Sequence, residues 1–225
     1  MALGEVFLCS GLPTQLAIGT ILAAFGITAT DAAGQLSRTF VVVVSLVDTV
    51  VLIALMMWLL RENGERPRDL WLGTAAVGGE AAFGILVLPA IVVGVGVMLT
   101  VIRAVAPTLQ NVPTNPLEAL ADSPGSALGI ALVAIIAGGV REELQRAFLL
   151  RRVSRYLGGA TFAAIALSVA FGLGHYVQGW DAVIATGVLG LCWAVMYLRR
   201  KSSVAPVVSH SAFNALEIVR VALIG

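Results

Sequence analysis

Apolar runs about as long as a bilayer is thick recur along this chain, and they leave it few folds. A helix needs about 20 apolar residues to cross a hydrocarbon core of about 30 Å. Runs of that kind, broken by Gly, Pro or charge, fall at 5–28, 39–60, 73–103, 126–150, 160–178, 182–199 and 204–223. They predict an all-α, polytopic membrane bundle of about seven transmembrane helices. Composition agrees: 59% of residues are hydrophobic and 12% charged, against about 45–50% and about 25% in soluble domains. The third run is over-long and holds Glu80 and several glycines, so it is expected to tilt or split. The opening residues, Met1 to Glu5, lack the positive stretch of a secretory signal, so the first run is read as a span.

Lys and Arg set the expected orientation, because cytoplasmic loops retain them. Arg61, Arg66 and Arg68 follow the second run, Arg151, Arg152 and Arg155 the fourth, and Arg199, Arg200 and Lys201 the sixth. All three clusters fall on one side, which predicts a cytoplasmic N-terminus. The connection 106–126 carries Pro107, Pro113, Pro116 and Pro124 and reads as an external loop. Residues 1–225 form one membrane domain, with N-terminal spans over 1–105. A net charge of +1 without a long basic run argues against nucleic-acid binding. Cys9 and Cys192 lie far apart in apolar stretches, so neither a disulfide framework nor a CxxC metal site is suggested.

Ionisable groups inside lipid are costly unless paired or hydrated, so those within the runs are functional candidates. Asp48, Glu80 and Glu217 stand alone, whereas Glu142 and Glu143 are accompanied by Arg141 and Arg146. Both histidines of the chain, His175 and His210, also lie in apolar runs. Glu142 shares a helical face with Gly138 and Arg146, and the bland alternative is a structural Glu142–Arg146 salt bridge. Phe171 stands one turn before His175 on the same face. A turn at Gly158 and Gly159 would leave Glu142 and His175 equally far from its midpoint, hence at one height in an antiparallel hairpin. His210 and Asn214 share a face in the last run, within a polar seam that must avoid lipid.

A carboxylate beside a histidine in a poorly hydrated pocket can activate water. A second histidine and an amide can stabilise the oxyanion formed when that water adds to a peptide carbonyl. No serine or cysteine has a convincing base beside it, which disfavours covalent catalysis. Glu142, His175 and His210 could instead hold a divalent metal such as zinc. HExxH is absent, so no cofactor is favoured. A proton-coupled transporter is the rival from another class, although the chain is short and its polar groups crowd into the last four runs.

These residues resemble the CPBP family, the type II CAAX prenyl endopeptidase-like and bacteriocin-processing membrane proteins. Its pattern is Glu-Glu-x-x-x-Arg, Phe-x-x-x-His and His-x-x-x-Asn on successive helices. Phe171 with His175, and His210 with Asn214, fit in order and spacing, and Glu142 with Glu143 supplies the acidic pair. The resemblance covers roughly residues 126–220. It implies a membrane-embedded endopeptidase in which Glu142 and His175 activate water, His210 and Asn214 form the oxyanion hole, and Glu143 supports them, with Arg146 and Phe171 alongside. One spacing departs from the pattern: only Leu144 and Gln145 separate Glu143 from Arg146. If Arg146 is the family arginine, Arg141 takes the first acidic position and Glu142 the second. A catalytically inactive scaffold of the same family is the alternative this opens. The resemblance implies the lipid bilayer and a peptide or membrane-protein substrate as partners, the substrate prenylated in one branch. The Arg-rich loops suit a bacterial inner membrane.

Overall fold

The computed structural model describes residues 2–31 and 33–224; the extreme N-terminus at Met1, expected to face the cytoplasm, lies outside them. A backbone in lipid has no partner but itself, which favours helices. The chain is 81% helical, and the described residues hold no strand beyond an isolated bridge between Thr30 and Leu36. Among the described residues five stretches are long and apolar enough to cross a membrane: Ala2–Ala24, Arg38–Glu62, Val77–Val105, Pro124–Leu173 and Trp180–Arg200.

The first stretch is two helices, α1 (Ala2–Leu8) and α2 (Leu12–Ala24), broken at Gly11. Next come α3 (Arg38–Glu62), the short α4 (Pro67–Trp71) and α5 (Val77–Val105). Of the two expectations for the third run, tilt or split, the split does not occur: α5 runs unbroken through Pro89. The fourth stretch comprises α6 (Pro124–Val133), a π-helical segment Ala134–Arg141, α7 (Glu142–Val153), a π-helical turn Ser154–Gly158 and α8 (Gly159–Leu173). The chain doubles back at Gly158 and Gly159, whose φ angles of 156° and 82° suit glycine. The turn therefore falls where the sequence predicts it. The bundle ends with α9 (Trp180–Arg200) and α10 (Val204–Ile224). At 21 residues α10 matches α9 in length, and it carries His210, Asn214, Glu217 and Arg220.

The hydrophobic core lies where α3, α7, α8 and α9 meet, with Leu52, Met56, Leu60, Phe148, Leu150, Ala163 and Ala194 buried together. All three basic clusters gather at one end of the bundle. There Glu65 receives Arg151 at 2.6 Å and Arg152 at 2.7 Å. The Ser203 amide donates to the Trp71 carbonyl (2.7 Å), and the Tyr197 hydroxyl to the Leu70 carbonyl (3.1 Å). At the other end the 106–126 loop binds the start of α9 and the residues before it. Asn111 accepts from the Trp180 amide at 3.0 Å, and Asn115 donates to Gln178 at 3.3 Å.

Candidate active site

Two glycines let α10 approach the π-helical segment closely. A side chain at Gly139 would overlap Ser211, and one at Gly138 would meet the Asn214 amide. In return Asn214 Nδ2 donates to the Ala134 carbonyl at 3.1 Å, which satisfies one of its two N–H groups. π-Helical turns carry more residues than α-turns and often mark functional sites. Here the segment ends at Arg141, and the next two residues are Glu142 and Glu143.

Those acids flank His210 on its two nitrogens. The Nδ1 of His210 bonds Glu143 Oε1 at 2.7 Å, while Nε2 stands 4.0 Å from Glu142 Oε2. The second separation is electrostatically close but too long for a hydrogen bond. Glu143 also accepts from Arg146. Since the carboxylate serves both donors, Nδ1 of His210 carries the proton. The two acids differ in access: the Glu143 side chain is 1% exposed and that of Glu142 20%. The expected Glu142–Arg146 bridge is not the one formed; the pair is Glu143–Arg146, one residue closer along the helix.

Aromatic rings close the site. Trp193 stacks on His210 with centroids 3.7 Å apart and planes 16° from parallel, and its indole N–H donates to Ser209 Oγ at 3.1 Å. The Arg146 guanidinium lies 4.5 Å from the Phe171 ring centre and 5.6 Å from that of Trp193. Arg146 and Phe171 are symmetric about the Gly158–Gly159 turn, so their contact reports the hairpin register. Glu142 and His175 each stand four residues farther from that turn. His175 meets Phe171 edge-on at 4.7 Å, and its Nδ1 bonds the Phe171 carbonyl at 2.8 Å. A carbonyl only accepts, so Nδ1 is protonated and Nε2 keeps its lone pair.

Sequence reasoning named Asp48 and Arg141 among the intramembrane charges but not their pairing behind Glu142. Arg141 Nη2 is 3.4 Å from Glu142, while its Nη1 bonds Gln145 at 3.1 Å and lies 3.7 Å from Asp48 of α3. Asp48 is fully buried and also accepts from Thr14 at 2.5 Å and Gln15 at 3.1 Å. A charged row thus runs Asp48, Arg141, Glu142, His210, Glu143, Arg146. Its signal in the sequence was the buried charge on Asp48, whose partner lay 93 residues away. Trp193 left the weaker signal of an indole inside an apolar run, away from the interface where Trp is enriched. The other lone acids are paired as well, Glu80 with Arg200 (2.7 Å) and Glu217 with Arg220 (3.0 Å). Glu142, His175 and His210 do not assemble into a metal cage: among the described residues no three His, Cys, Asp or Glu side chains lie close enough to hold an ion.

Residues 124–216 match the family described as type II CAAX prenyl endopeptidase Rce1-like. Through this stretch, less than half of its length, the chain is similar to that family. The matched segment runs from α6 into α10 and contains both glutamates, both histidines, Arg146, Phe171 and Asn214, while Asp48 lies outside it. No curated protein and no solved structure matches the chain. That similarity supports a CAAX-type intramembrane endopeptidase in general.

Proposed function

We propose that this chain hydrolyses a membrane-delivered peptide or protein in a bacterial inner membrane, with a water activated by Glu142 and His175. The carrying observation is the asymmetry around His210. One acid is sealed off and engaged by two donors; the other is partly open and accepts only the long 3.4 Å bond from Arg141. Glu143, with Arg146, orients His210, and Glu142 is left free to take a proton. His175 contributes an Nε2 lone pair that accepts from the same water. The water oxygen adds to the carbonyl carbon, its proton passes to Glu142, and the carbonyl electrons move onto oxygen. His210 and the second Asn214 N–H line the position of that oxyanion, and the amide N–H donates to it. Collapse breaks the C–N bond, and the amine leaves with the proton from Glu142.

The reading is tested by cleavage of a candidate membrane peptide in liposomes. Glu142→Gln is expected to lower kcat by about 10²–10⁴, the usual contribution of a general base. Asn214→Ala removes one oxyanion donor and is expected to cost about 10²–10³. Cleavage that survives Glu142→Gln, His175→Ala and His210→Ala overturns the proposal, and a folded chain that never cleaves supports a scaffold. Activity that disappears with a chelator and returns with zinc would replace the glutamate mechanism by a metal-dependent one. The transport reading loses support from the pairing of Asp48, Glu80 and Glu217 with arginines.

A further inference from the structure

At the basic end of the bundle, between the α7–α8 turn and the end of α9, lies a groove of about 360 Å³. Arg151, Arg155 and Lys201 line it, and no acidic residue does. Leu150 and Tyr197 give it an apolar floor, and Ala160 brings in the first turn of α8. That turn has no side-chain cap at Gly158, and it brings the positive end of the helix dipole to the groove. Ser154 also lines the groove, and its buried Oγ has no hydrogen-bond partner. The nearest carboxylate, Glu65, is already held by Arg151 at 2.6 Å and Arg152 at 2.7 Å. The Arg155 guanidinium sits 5.3 Å from the ring centre of Tyr156, a half-exposed aromatic of the kind found at headgroup depth.

We propose that this groove binds the phosphate of an anionic phospholipid headgroup, with the acyl chains running down the apolar flank. Cations with free amide and hydroxyl donors suit a phosphate, and basic clefts between helices at the cytoplasmic interface suit lipids that carry one. A free phosphate offers the same anion but would leave the apolar floor unused. The site is remote from Glu142 and His210, so its test does not depend on cleavage.

The experiment is thermal unfolding of the full chain in a neutral detergent, titrated with short-chain phosphatidylglycerol, phosphatidylcholine or inorganic phosphate. Phosphatidylglycerol is expected to raise Tm by a few degrees, phosphatidylcholine not to. Arg155→Gln and Lys201→Asn change side chains outside the ion pairs, and Asn tolerates the left-handed backbone of Lys201, where φ is 54°. Each is expected to weaken phosphatidylglycerol binding by about fivefold while leaving the lipid-free Tm unchanged. An equal shift with phosphatidylcholine, an equal shift with inorganic phosphate alone, or unaltered phosphatidylglycerol binding in both variants would overturn the proposal.

Discussion

Glu143 concentrates more of the site's energy than any other side chain, because Arg146 and His210 both bond it where water does not reach. Such a group is costly to break from one side: removing one partner of a buried pair costs about 3–5 kcal/mol, since the other charge stays behind. Glu143→Gln and Arg146→Gln are each expected to lose stability on that scale. The double variant should lose less than the sum, with a coupling of about 0.5–3 kcal/mol. Denaturant unfolding in detergent checks this, and strict additivity would mean the pair is not coupled. Asp48 acts one step further away. Asp48→Asn leaves Arg141 with Glu142 as its remaining carboxylate, drawing the base into a closer pair. Cleavage is expected to slow through kcat, by less than the about 10²–10⁴ that loss of the base itself would bring, with KM little changed.

Among elements, the π-helical segment and α10 depend on each other. The wider turn is held by the Asn214 bond to Ala134, and that bond requires the bare faces of Gly138 and Gly139. Gly139→Ala is therefore expected to push α10 outward at a cost of about 1–3 kcal/mol, typical of overpacking. Pairing it with Ser211→Gly should recover part of the loss. Gly129→Ala, in open space on the same helix run, serves as the control and should cost nothing. The same contrast explains how much the sequence discloses. The α7–α8 hairpin was readable because two adjacent glycines mark its turn, and the polar seam of α10 because His210 and Asn214 recur at helical spacing. The π-segment was not, because its hydrogen bonding is chosen by a neighbouring helix and not by its own residues. Within α7 both i,i+3 and i,i+4 spacing bring an acid beside Arg146, and Glu143, not Glu142, is the partner that packs there. Trp193, and the contact of Arg141 with Asp48, were missed for a related reason: they arise across helices, which one helix's periodicity cannot report.

For the whole molecule, the family match begins at residue 124, yet the first half supplies charges that the matched half buries. Asp48 stands behind Arg141, Glu5 and Glu65 hold Arg152 at 2.5 and 2.7 Å, Glu80 holds Arg200 at 2.7 Å, and Arg103 holds Asp181 at 2.9 Å. Arg152 is 1% exposed and Arg141 9%, so neither can turn to water if its acids are removed. Two such losses at about 3–5 kcal/mol each are comparable to the whole stability of a domain, about 5–15 kcal/mol. Residues 124–225 expressed alone are therefore expected to aggregate in detergent. Cutting the chain after Gln110, in the connecting loop, breaks none of these pairs. The fragments 1–110 and 111–225, produced together, should co-purify as one complex with peptidase activity. Size-exclusion chromatography and the liposome assay read both outcomes. A monodisperse, active 124–225 fragment would show that the paired acids of the first half are dispensable to the site.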